Sequence, residues 1–291
     1  MLGRWHAIGA VVGFALLGLI VPPLTLLSSA ALGLVTLRLG ASSGLSVLGS
    51  AVLALTVLSA VFTGRAWIGA VYGVTQWVPL LILALVLRRT ASLVLTLEAA
   101  MVAGLSVVLS VKYLTPDITP LWKTVLDDIV RPALMRADVP TVTIDALLQQ
   151  AAQVMTGSFV AAMLLSLLLA LLLARWWQAL LYNPGGFREG FTGLQLGYPA
   201  AGFVLALTVA ALLTKTSLMI ELSMVASVIF FLQGMAVVHT VSAKSEYPMV
   251  WLAGVYGSLL LALPQMMAGL AAMGALDAFA DFRARLGCKV K

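Results

Sequence analysis

The sequence predicts an all-α membrane fold, a polytopic bundle of about eight to nine transmembrane helices, since a bilayer crossing takes roughly 20 apolar helical residues and runs of that size follow one another. Composition agrees. Hydrophobic residues make up 62% of the 291 and charged residues 10%, with a mean hydropathy of +1.09, whereas a soluble domain carries about 25% charged residues. The polar breaks are short, so residues 1–291 read as a single membrane domain. A soluble catalytic domain is excluded. The net charge of +6 comes from basic residues scattered between apolar runs. Such residues orient helices against an anionic leaflet, and nucleic acid is not an expected partner.

At the N-terminus, Arg4, the apolar run Ala7 to Ile20 and the small residues Ser28 to Ala31 imitate a signal peptide. Apolar sequence continues to Leu37, which favours an uncleaved first helix. The run 6–37 is too long for one straight helix. It breaks at Val21-Pro22-Pro23, where proline removes a helical donor and disfavours helix at the preceding residue. The result is either a hairpin of two short helices or one broken helix. Arg38 and Gly40 close this unit, and runs at about 44–62, 67–87 and 91–112 follow, separated by Arg65 and Arg88-Arg89.

Residues 114–146 form the one sizeable polar stretch and are expected outside the membrane. Thr119-Pro120 is a good helix start. Leu121, Trp122, Val125, Leu126 and Ile129 then share one face, predicting an amphipathic helix on the membrane surface. A further helix from Thr143 is expected to run to Tyr182, ~60 Å at 1.5 Å per residue, with Arg175, Trp176 and Trp177 as its interfacial anchor. Asn183-Pro184-Gly185-Gly186 stops it and opens an interfacial loop over 183–196. Runs at about 196–213, 217–242 and 248–276 complete the bundle, the last interrupted by Pro264, and 277–291 reads as a polar tail.

A cytoplasmic N-terminus places Arg4, Arg38, Arg88, Arg89, Arg175, Arg188 and Lys244 inside, as the positive-inside rule prefers. Nine crossings would put Arg283, Arg285, Lys289 and Lys291 outside. Eight effective crossings, with one proline-broken segment changing its count, keep both termini inside.

Catalytic and metal-binding patterns are sparse. The chain has two histidines, His6 and His239, and one cysteine, Cys288, with no zinc, paired-cysteine, nucleophile-elbow or phosphate-loop motif. No cofactor or metal is expected, and the chain reads as a non-enzyme. The sharper signal is polar side chains at membrane depth, which are costly unless partnered or hydrated. Gln76, Glu98, Gln233, His239 and Gln265 are therefore the candidate ligand or cavity residues. Gln265 follows Pro264, and polar groups beside broken helices often line transporter sites. The competing reading of these groups, and of Glu221, is hydrogen bonding between helices or snorkelling to the headgroups. Gly9 with Gly13, Gly69 with Gly73 and Ala100 with Gly104 are small-residue pairs suited to close helix packing. In the stretch NPGGFREGFTGLQLGY, Phe187, Arg188, Glu189 and Phe191 are the candidate partner or gating residues.

RWWQALLYNPGGFREGF at 175–191, PPLTLLSSAALGLVTLRLGASSGL at 22–45, FFLQGMAVVH at 230–239 and GALDAFADFR at 274–283 resemble the YybS-like family of bacterial polytopic membrane proteins. The resemblance covers most of the chain. It implies fold kinship to the substrate-binding membrane subunits of energy-coupling-factor vitamin transporters and to the rod-shape scaffold MreD, and it places the chain in the bacterial inner membrane. It brings no catalytic residues, and fold does not fix function. The chain departs from those vitamin-binding subunits in having more than six predicted helices and no vitamin-specific motif. The expected role is a transporter-like component binding a small molecule or lipid within the bilayer. The alternative is a scaffold for cell-envelope or division proteins, contacting a membrane protein partner or a second copy. An intramembrane enzyme is a distant third.

Overall fold

The computed structural model of the protein describes residues 3–282, and every regular element among them is helical. In chain order these are α1 (Arg4–Gly18), α2 (Leu24–Leu39), α3 (Ala41–Thr63), α4 (Ala66–Tyr72), a π-helical segment (Gly73–Trp77), α5 (Val78–Thr90) and α6 (Leu93–Leu114). The chain continues with α7 (Thr119–Ile129), α8 (Arg131–Arg136), α9 (Thr141–Gln153), α10 (Met155–Tyr182) and α11 (Gly186–Thr192). It ends with α12 (Tyr198–Thr214), α13 (Ser217–Ser242), α14 (Pro248–Leu261) and α15 (Leu263–Ala280). Five helical stretches are long and apolar enough to cross a membrane: α3, the Ala66–Thr90 stretch, α6, α10 and α13. Helices α1, α2, α12 and α14 are apolar but shorter.

The chain divides into two compact units. One comprises residues up to Ala100 with Leu165–Leu194; the other comprises Met101–Leu164 and the described chain from Gln195 onward. In the first, the two prolines make a hairpin rather than one broken helix. Helix α1 stops at Gly18, α2 starts at Leu24, and the two pack together. The Ser28 hydroxyl donates to the Val11 carbonyl at 2.7 Å and accepts from the indole N–H of fully buried Trp77 at 3.2 Å. Trp77 closes the π-helical segment, whose cause is local: Pro79 has no N–H to continue the ladder, and the Val78 N–H reaches back five residues to the Gly73 carbonyl. Gly69 and Gly73 let α4 and the π segment approach α3 closely, at Leu55 and Val52. Gly9 and Gly13 have open space around them.

In the second unit α13 is the central helix, buried from Val225 through Val237 except at Ser227, and packed by α12, α14 and α15. Gly234 and Gly274 make the α13–α15 crossing, each with its Cα pressed against backbone of the other helix, at Leu270 and Phe230. Helices α7 and α9 pair around Leu126, Ile144, Leu148 and Ala152, with Trp122 against them. The amphipathic α7 runs as its spacing predicts. Arg131 joins Asp127 at 2.5 Å and Asp145 at 2.6 Å, and Lys123 meets Asp127 at 3.2 Å. The Arg131 hydrogen bond, with help from Lys123, holds the Asp127 carboxyl below its usual range.

Two expectations change. The single helix expected from Thr143 to Tyr182 is two, because α9 ends at Gln153 and Val154 leaves helical geometry (φ −116°, ψ 9°) before α10 begins. Before the break, α9 pairs with α7. The first residues of the polar tail expected from 277 are part of α15, which carries helix through Ala280, and Asp277 is fully buried, hydrogen-bonded to Gln233. Arg283, Arg285, Cys288, Lys289 and Lys291 lie outside the described residues.

Candidate functional site

A cavity of about 170 Å³ opens at one end of the first unit. Its walls come from the α5–α6 turn (Leu87, Ala91, Leu93, Val94), from Arg175 on α10, and from α11 and the residues after it (Gly186, Phe187, Gly190, Gly193, Leu194). The sequence builds these walls locally. Gly185, at φ +93°, turns the chain after α10. Gly186, Gly190 and Gly193 then recur at helical spacing, so that side of α11 offers bare backbone. Phe187 and Phe191, one turn apart, stack at 5.8 Å with an interplanar angle of 6°. Clefts that enclose drug-sized ligands measure ~300–1,000 Å³, so this one suits a small group.

Arg175 is partly buried and donates to Gln178 Oε1 at 2.8 Å. A guanidinium has five N–H donors, and no carboxylate lies within ion-pairing distance of Arg175 among the described residues. The same end of the unit gathers other arginines. Arg88 donates to the carbonyls of Thr36 and Leu37 at the C-terminus of α2, where a cation also suits the helix dipole. Its guanidinium packs over Gly40, whose φ of +94° ends α2. Arg38 sits over the Tyr182 ring at 3.9 Å. Arg89 and Arg188 are exposed nearby in sequence, and Glu189 is exposed on α11.

The five polar residues proposed from the sequence do not line this cavity. Gln76, in the π segment, donates to Ser166 Oγ at 3.2 Å. Glu98 is partly buried and lies one turn beyond cavity-lining Val94 on the same side of α6. In the second unit Gln233 is fully buried; its Oε1 accepts the Leu196 N–H at 2.9 Å and its Nε2 donates to Asp277 Oδ2 at 3.1 Å. His239 Nε2 is 3.0 Å from the Tyr256 hydroxyl. Gln265 is exposed beside Pro264. Glu221, 2% exposed, accepts the Gly157 N–H at 3.1 Å and ties α13 to the start of α10. Gln76, Gln233 and Glu221 thus make hydrogen bonds between separate segments.

Of the four candidates in the 183–198 stretch, Phe187 lines the cavity, Phe191 stacks on it, and Arg188 and Glu189 are exposed. Arg175 was legible only as an interfacial anchor. Its depth, eight residues before Asn183, was the available sign of another role. No group of histidine, cysteine, aspartate or glutamate among the described residues could hold a metal. Comparison with known proteins finds no matching family model, curated protein or solved structure.

Proposed function

We propose that this is a multi-pass protein of the bacterial inner membrane, of the YybS-like kind, that binds a small molecule or lipid as a transporter-like component. The supporting observation is the cavity, which joins an aromatic ring, bare glycine backbone and a guanidinium without a carboxylate partner at one end of an apolar helical unit. Its apolar helices would make about eight to nine crossings. The arginine-rich end faces the cytoplasm in this reading. The role is binding rather than catalysis.

Native mass spectrometry of the full chain, extracted gently from its own membrane, tests the reading. The expected result is a bound small molecule or lipid that is lost from Gly190→Leu, which puts a branched side chain on the cavity wall. A chain that carries nothing at the cavity overturns it. The second reading, a scaffold for envelope or division proteins, draws on α11, where Arg188 and Glu189 are exposed beside the Phe187–Phe191 stack. It predicts a co-purifying protein that is lost when Phe187, Arg188 and Phe191 become alanine, with no small ligand bound.

A further inference from the structure

We infer that the cavity selects an anion of the phosphate class, held by Arg175; this rests on the binding role proposed above and specifies its ligand. The volume of about 170 Å³ accommodates a headgroup rather than a whole amphiphile. Leu87, Leu93, Val94 and Leu194 supply apolar wall, which raises the cost of leaving a charge there unmatched. Among the described residues the only partner of Arg175 is Gln178, a neutral side chain that takes one of its donors. The remaining N–H groups form a planar fork that fits phosphate oxygens in pairs.

The surroundings carry the same sign. Arg38 and Arg88 are anchored at this end by Tyr182 and by the α2 carbonyls. They raise the local positive potential without occupying the cavity. Gly190 shows that the cavity wall is kept low: a Cβ there would meet nothing within 4 Å, and its backbone lies in an ordinary conformation. A side chain would fit sterically, and its absence leaves the backbone open to a ligand. Two sources share the chemistry, the headgroup of an anionic phospholipid and a free phosphomonoester.

The test titrates the full-length protein in neutral detergent with phosphatidylglycerol, diacylglycerol or glycerol phosphate, and reads binding by native mass spectrometry. Phosphatidylglycerol is expected to bind and diacylglycerol to bind at least about tenfold more weakly, the scale of hydrogen bonds to a charged group. Arg175→Gln should weaken phosphatidylglycerol by about tenfold or more, Arg175→Lys by less, and Arg65→Gln by under about twofold. Glycerol phosphate binding as tightly as phosphatidylglycerol would assign the site to a free anion; weaker binding assigns it to the lipid. Where Arg175→Gln does not fold, Gly190→Leu must abolish binding of the phosphorylated probe. Diacylglycerol binding that is blocked by Gly190→Leu but indifferent to Arg175 would overturn the anion inference and leave the binding role standing. If no probe binds and no native ligand is found, both fall.

Discussion

Gln233 shows what one amide does inside an apolar helix pack. It serves the Leu196 N–H and the Asp277 side chain together, so its removal leaves the buried Leu196 N–H without its acceptor, at ~1–3 kcal/mol, and takes one hydrogen bond from buried Asp277, at ~1 kcal/mol. Gln233→Leu is expected to lose about 2–4 kcal/mol, read as a lowered midpoint in detergent denaturation; an unchanged midpoint would show that the bridge is dispensable. Asp127 is partly buried and lies in the polar 114–146 stretch. Its carboxyl is held below the ordinary value of 3.8 by Arg131, so its contribution to the α7–α9 pair is complete above that value and is lost as pH falls through the lowered folded one. Amide exchange over 141–145, corrected for its intrinsic pH dependence, should therefore quicken in a step below about pH 4 in the parent. In Asp127→Asn it should start faster and show less of that step. Equal pH profiles for the two proteins would remove Asp127 from the account.

Two glycines on helices behave oppositely once packing is known. At Gly274 an added Cβ collides with the Phe230 carbonyl and the Gly234 backbone, atoms that cannot turn aside; at Gly190 it meets open space. Gly274→Ala should force α13 and α15 apart and reduce the yield of folded monodisperse protein severely, whereas Gly190→Ala should leave it unchanged or raise it through better helix propensity. Size-exclusion profiles of the two variants decide this. The π segment is a second case of element-scale logic. Pro79 shifts the ladder, and the shifted register belongs to a helix in which Trp77 is buried on Ser28. Ser28→Ala leaves that indole N–H unpartnered, and stability should fall by about 1–3 kcal/mol, read as a lowered denaturation midpoint; no fall would mean that Trp77 is held by packing alone.

Within the first unit, arginine is unevenly shared. Arg38, Arg88 and Arg175 belong to the cavity end, tied there by Tyr182, the α2 carbonyls and the cavity itself. Arg65 lies at the far end, in the α3–α4 link. With the cavity end cytoplasmic, Thr90→Cys in a Cys288→Ser background should resist a membrane-impermeant thiol reagent in intact cells and react after lysis. Ala66→Cys should react in intact cells. The reverse pattern would invert the proposed orientation.

How much of this is legible in the sequence depends on the range of the interaction. Apolar runs, proline breaks and the α7 stripe are properties of adjacent residues, since each backbone hydrogen bond of a helix closes within four positions. The break at 21–23, the α7 amphipathic face, the stop at Asn183 and the α14–α15 interruption at Pro264 could be read from the chain. Depth and partnership could not. Asp277 looked like the start of a polar tail, and it became buried because Gln233, 44 residues earlier, is placed beside it. Gln233 looked like a cavity residue and is fully occupied by two partners. Arg175 looked like an anchor, and the meeting of α10, α11 and the α5–α6 turn put it in a cavity wall. A sequence states the chemistry of a side chain, but which groups share its space is set by helices brought together from distant parts of the chain.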